Sequence, residues 1–224
     1  MTETEVLSKE EINQRMATGM GLVYDLFNEL HSFNRIIRET VDATVDARLI
    51  KNGRLALARK DRSPADKALS CNLALLYELD VQGSDDDLED EDDDPEEKKS
   101  GKFEVTPDSR FLAFRTQLYR PGCPPDFQPY IAGAILSDIC WLKKARGKKN
   151  VPKKSTTFKT SGSKFLWLVR GLDDKIVAGS SIERGSKNDK LFANVSSGKS
   201  MTLTSFDSEE SIADFVAAIL SDDL

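Results

Sequence analysis

Apolar side chains recur at Met16, Met20, Val23, Phe27, Leu30, Ile37 and Val41, in steps of four and three, with Asn34 filling the one gap. That spacing is a heptad seam and predicts a helix. Ser8 followed by Glu10 and Glu11 is its start, an oxygen-bearing cap with acids where the helix dipole favours negative charge. Asn34 falls at an a-type position, where a polar side chain fixes register and partner number. A second stripe of Leu22, Leu26, Phe33 and Ile36 widens the face beyond a two-stranded coiled coil. The broader face suits a helical bundle or an obligate partner. Gly19 and Gly21 weaken the first turns by about 1 kcal/mol each relative to Ala. The seam is either the core of a bundle or an association surface, and Met20, Val23, Phe27, Leu30, Asn34, Ile37 and Val41 are its candidate contacts.

Asn52-Gly53 is a turn signal. It fits a hairpin between Leu49-Ile50 and Leu55-Ala56-Leu57, or the end of a helix. Residues 48–62 do not alternate cleanly, which favours the helix break. Ser63-Pro64 then opens a second helix with Ala65, Ala68, Leu69, Leu73, Leu76 and Leu79 on its buried side. Two antiparallel helices, or three, account for residues 8–80. Gln82 to Gly101 contains one large apolar residue, Leu88, so solvation outweighs burial and a disordered linker is expected.

From Phe103 the pattern turns to strands. Phe103 to Val105 and Arg110 to Tyr119 flank the Pro107-Asp108 turn. A helix is expected from Pro129, with Ile131, Ile135, Ile139 and Leu142 along one face. Four short strands follow at Phe165 to Val169, Ile176 to Ile182, Leu191 to Val195 and Met201 to Phe206. Asp207 then caps a last helix, with Glu210 at the capping-box position and Ile212, Phe215, Val216, Ile219 and Leu220 as its apolar face. The expected class is α+β. An N-terminal helical hairpin or bundle for association (1–80) leads through an acidic linker (81–102) to a basic domain (103–224), an antiparallel sheet with two flanking helices on one face. By element order the C-terminal part is similar to profilin-, longin- and roadblock-type arrangements, which implies a fold and no function.

Charge sharpens this organisation. The net charge is −6, but residues 1–80 carry −2, residues 81–102 carry −8 and residues 103–224 carry +4. Asp85 to Glu97 holds eleven acids and no base, while Lys143 to Lys164 holds nine bases and no acid. Those bases are Lys143, Lys144, Arg146, Lys148, Lys149, Lys153, Lys154, Lys159 and Lys164. Lysines and arginines that neutralise phosphates release counterions and give salt-sensitive, sequence-tolerant binding, so DNA or RNA is the expected partner of this run. Phe158 adds one ring for base stacking. The same composition also suits an import tract or a solvated loop. The acidic linker can itself lie on the basic run, since screening extends over about 8 Å at physiological salt.

Catalytic chemistry has little to stand on. His31 is the single histidine, which restricts histidine-based triads and zinc sites to that residue. Cys71, Cys123 and Cys140 lack metal or redox spacing. Ser196-Ser-Gly-Lys-Ser200 misses a P-loop, because Ala193 stands where glycine is required, and is read as a hairpin turn. Ser161 and Lys164 have a Ser-x-x-Lys spacing that arises by chance in such loops. Asp173, Asp174 and Glu183, with Lys175 and Lys187, form a loose set for a metal-dependent nuclease. No cofactor, metal or catalytic residue is assigned. There is no apolar run of about eighteen residues and no leader pattern, so an intracellular protein without a membrane partner is expected, cytoplasmic or, in a eukaryote, nuclear. The expectation is a non-enzymatic binding protein, associating with itself or docking on a protein through its N-terminal helices and touching a polyanion with its basic domain. A scaffold subunit is the alternative and the nuclease a distant third.

Overall fold

The computed structural model describes residues 8–54, 72–79, 102–118, 126–144, 152–186 and 189–221. Helix α1 (Lys9–Thr44) runs unbroken for 36 residues, about 54 Å at 1.5 Å per residue. Its start is the expected one. The Glu11 amide donates to Ser8 Oγ at 3.2 Å and the Ser8 amide donates to Glu11 Oε2 at 2.8 Å, a reciprocal cap. Only Val45 and Asp46 separate its end from strand β1 (Ala47–Arg54).

The remaining elements are β2 (Asn72–Leu79), β3 (Lys102–Val105), β4 (Arg110–Gln117), β5 (Tyr130–Lys144), β6 (Pro152–Ser155), β7 (Phe158–Ser161), α2 (Gly162–Val169), β8 (Ser181–Ser186), β9 (Asp189–Thr202) and α3 (Glu209–Ser221). The class is α+β. The main sheet is antiparallel in the order β1-β2-β4-β5-β9-β8, with β6 also on β5, and β3 pairs with β7 as a separate ribbon.

Several expectations change. The second N-terminal helix is not present where Leu73, Leu76 and Leu79 lie, because these belong to β2. That strand is buried on both sides, with Ala74 and Leu76 in one core and Leu75, Tyr77 and Leu79 in the other. A doubly buried strand reads as a continuous apolar run and hides its period of two. Asn52-Gly53 makes no turn and lies inside β1 opposite Leu75 and Ala74. The proposed start of that helix at Ser63 and the acidic tract through Gly101 lie outside the described residues.

The helix expected from Pro129 is the central strand β5. Its four-residue spacing of isoleucines is also twice the strand period, so Ile131 and Ile135 share one face of a strand as well as of a helix. Ile139 joins the opposite face because register slips between Ser137 and Cys140. Asp138 sits in that bulge at φ +47°, a conformation non-glycine residues rarely adopt. Asn194 Nδ2 donates to Asp138 Oδ2 at 2.8 Å across it. Losing this helix removes the element order on which the profilin-like likeness rested.

Residues 165–169 fall in helix α2 instead of a strand, residues 176–180 are irregular with a turn at 178–179 before β8, and Met201-Thr202 ends β9 ahead of a 3-10 turn at Leu203–Ser205. The last helix is capped by Ser208, one residue beyond Asp207, with Ser211 N–H donating to Ser208 Oγ at 3.2 Å. Its apolar face is buried as expected.

Helices cover both faces of the sheet rather than one. Helix α2 and the β3–β7 ribbon close the side holding Phe111, Leu136 and Trp141. Helix α3 and the second half of α1 close the side holding Phe114, Ile131 and Ile135. Packing there is close at Gly133, where an added Cβ would stand 2.5 Å from Ile219 Cδ1 and 2.8 Å from the Phe114 ring.

Candidate association and polyanion surfaces

The predicted seam divides in two. Leu30, Ile37 and Val41 are 5%, 0% and 0% exposed, set among Phe215, Val216 and the sheet. Arg35 pairs with Glu39 at 2.8 Å and reaches Glu209 of α3 at 3.8 Å. The Phe33 ring meets Phe206 edge-on at 5.2 Å between centroids. Burial of each large aliphatic side chain contributes about 1.5–3 kcal/mol, so this half is held as core. Asn34 is partly buried within it.

The first half is a different surface. Met16 and Met20 are 63% and 67% exposed, and Ile12, Leu22, Tyr24, Leu26 and Phe27 are exposed with them. The side chain of Val23 is not among those described. Through residues 9–29 the helix therefore extends for about 30 Å with its apolar stripe uncovered by any described part of the chain. Gly19 lies within the stripe, and a Cβ there would meet nothing within 4 Å.

Where the protruding half joins the body there is an open, mainly apolar groove of about 660 Å³. Leu26, Leu30, Phe33, Leu203, Phe206 and Ile212 form its floor, and Glu29 and Glu209 are the charged residues on its rim. Leu203, Phe206 and Glu209 were not singled out by sequence. The available signal was an apolar pair just before a helix start, read there as a strand.

The basic run is brought together in part. β5 and β6 form a ribbon whose backbone register sets Lys143 opposite Lys153, Lys144 opposite Pro152 and Leu142 opposite Lys154. On its other edge β5 continues along β9, with Lys143 opposite Asp189. β4 flanks β5 only as far as Leu136, and β6 takes its place from Trp141. Lys143 is exposed at the end of the ribbon. Arg146, Lys148 and Lys149 lie in the connecting segment, outside the described residues.

Among the described side chains, two of the candidates make contacts within the chain while remaining exposed. Lys159 Nζ lies 3.9 Å from Glu104 Oε2 across the β3–β7 ribbon. Lys164 Nζ stands 5.0 Å above the Trp141 ring, a cation–π contact. Trp141 is buried and packs edge-on with Phe158 at 5.6 Å and Trp167 at 6.2 Å. Phe158 is therefore part of an aromatic cluster rather than a free stacking platform.

The chemistry-bearing candidates are dispersed. Ser196 to Ser200 is neither P-loop nor turn, because it lies inside β9 with Ser197 opposite Ile135 and Lys199 opposite Gly133. His31 is exposed on α1, and Cys140 is buried in β5. Asp173 and Glu183 line one shallow depression, but Glu183 is ion-paired to Lys190 and the Asp173 carboxylate accepts from the Lys175 amide at 3.0 Å. Among the described residues no three His, Cys, Asp or Glu side chains converge as a metal site. Among the same residues no helix is long and apolar enough to cross a membrane.

Two titrations are displaced by this architecture. Hydrogen bonds from the backbone and hydroxyl of Ser8 hold the Glu11 carboxyl below its ordinary value. Burial, with a smaller contribution from Asp42, pushes the Tyr77 phenol well above its ordinary value. Comparison of the chain with family models, with curated proteins and with solved structures finds no match.

Proposed function

We propose that this chain is a non-enzymatic binding protein with two separate contact surfaces. The protruding half of α1 associates with a protein, and the basic end of the β5–β6 ribbon contacts DNA, RNA or another polyanion. The observation that carries the reading is the uncovered apolar stripe of residues 12–27 on a helix whose other half is core. A continuous exposed apolar face rimmed by polar residues marks an interaction site. For the polyanion half, the support is the register that sets Lys143, Lys144, Lys153 and Lys154 at one end of a ribbon. One like-charge pair, Lys143 and Lys153, is directly opposed in that register, and such a pair is relieved when an anion binds beside it. An intracellular setting, cytoplasmic or nuclear, accompanies this reading.

A second reading is a scaffold subunit in which the basic ribbon is ordinary surface. The internal engagement of Lys159 by Glu104 and of Lys164 by Trp141 favours it. Fluorescence anisotropy with labelled single- and double-stranded DNA and RNA separates the two. With Lys143, Lys144, Lys153 and Lys154 all replaced by Glu, low-salt affinity drops at least about tenfold, and the log–log salt slope falls by about 1 for each phosphate contact removed. Equal affinity of the variant and the native chain removes the polyanion half and leaves the scaffold reading.

A further inference from the structure

The partner of the protruding helix can be named from the chemistry of its own surface. At 3.6 residues per turn, Lys9 stands in line with Met16 and at the edge of the stripe, whereas Glu11 points away and is occupied by Ser8. Positions facing outward through Ile12, Met16, Gly19, Met20, Leu26 and Phe27 carry no charge. An identical helix therefore meets no repulsion along this face. The groove at its base is rimmed by Glu29 and Glu209, and Arg15 of an incoming copy, two heptads before Glu29 and so on the same flank of the helix, supplies the opposite charge beyond the acidic first turn of Glu10 and Glu11.

We infer that the occupant is a second copy of this chain, its α1 laid antiparallel along the first. This rests on the binding-protein reading above and names the partner for its association surface. With Met16 of one copy level with Phe27 of the other, Gly19 faces Leu26, small against large, on both sides of the two-fold axis. Arg15 of each copy then comes beside Glu29 of the other. The same register carries the first turns of each helix, with Ile12, over the groove of its partner. One occupant thus fills the stripe and the groove together. A parallel pair would leave both grooves open and press the two globular bodies against each other at the same end.

Gly19 gives the arrangement its sharpest feature. A glycine within a helix weakens it, and here no described part of the fold requires the missing side chain. A close helix approach from outside supplies that requirement. Substitution of this glycine by leucine accordingly strengthens the isolated helix while blocking the pairing.

The test is the mass of the full chain by light scattering and sedimentation across the micromolar range. The native protein is expected at twice its 24.9 kDa, and Met20→Glu and Gly19→Leu at 24.9 kDa, with dissociation constants raised at least about tenfold. Both positions are exposed, and circular dichroism should show helix content kept or raised in Gly19→Leu. A bis-maleimide cross-linker applied to mixed Met16→Cys and Phe27→Cys chains, read by peptide mass spectrometry, should join 16 to 27. A native chain that stays at 24.9 kDa, a dimer unaffected by Gly19→Leu, or a dominant 16-to-16 link would each overturn the inference. Anisotropy on the same samples is independent: lost polyanion binding in a chain that still dimerises removes that reading and leaves this one.

Discussion

The two halves of α1 share one heptad pattern and meet opposite fates. From Leu30 to Val41 the seam is sealed by α3 and the sheet, while from Ile12 to Phe27 the same kind of stripe lies open. The difference lies in what stands opposite. Phe206, Ile212, Phe215 and Val216 arrive from a segment about 170 residues later and reach only the second half. Periodicity thus reports that a helix has an apolar side, and the rest of the fold decides how much of it remains for another molecule.

The largest expected separation between the halves is in stability. Ile37→Ala opens a cavity among fully buried neighbours and should cost about 2–5 kcal/mol in urea unfolding. Met16→Ala, measured on the monomeric Gly19→Leu background, should shift stability by less than about 0.5 kcal/mol. Equal losses at both positions would erase the distinction between core and surface. Gly133→Ala tests the close packing beneath the sealed half. Its Cβ would collide with Ile219 and Phe114, and the expected destabilisation is about 1–3 kcal/mol by the same assay.

The sealed half also sits beside Tyr77, whose phenol is raised by burial. The neutral form is thus favoured in the folded state, so this contribution is complete below the ordinary value of 10.0 and lost as pH rises above it. Alkaline unfolding should steepen there by up to about 1.4 kcal/mol per pH unit, and Tyr77→Phe should remove that dependence. At the open end, Ser8→Ala should weaken the helix by about 1 kcal/mol and fray only the first turns, seen by amide hydrogen exchange with global stability kept. The smallest effect is acidic. Glu11 holds the cap while ionised, so the first turn is fully capped above the ordinary value of 4.5 and loosens as pH falls through its lowered one. Amide chemical shifts of Ser8 and Glu11 would follow it.

Helices α1 and α3 were legible because one side of each stays polar, and the Ser8 cap declares where α1 begins. Strands β2 and β5 were not, since both their faces are buried and a pair such as Ile131 and Ile135 satisfies a helical spacing as well as a strand one. Helix α2 was taken for a strand because PheLeuTrpLeuVal at 165–169 is apolar throughout. The basic run was visible as charge, but its assembly across β5 and β6 depended on the reach of a strand taken for a helix. Nothing local in the sequence announces that Glu209 and Phe206 complete a groove with Leu26 and Leu30.

The direct passage from α1 into β1 has a mechanical consequence. With Val45 and Asp46 as the whole connection, the rod has no slack at its root, so a load on its free end passes through the buried turns of α1 around Ile37 and Val41 before it reaches the β1–β2 pairing.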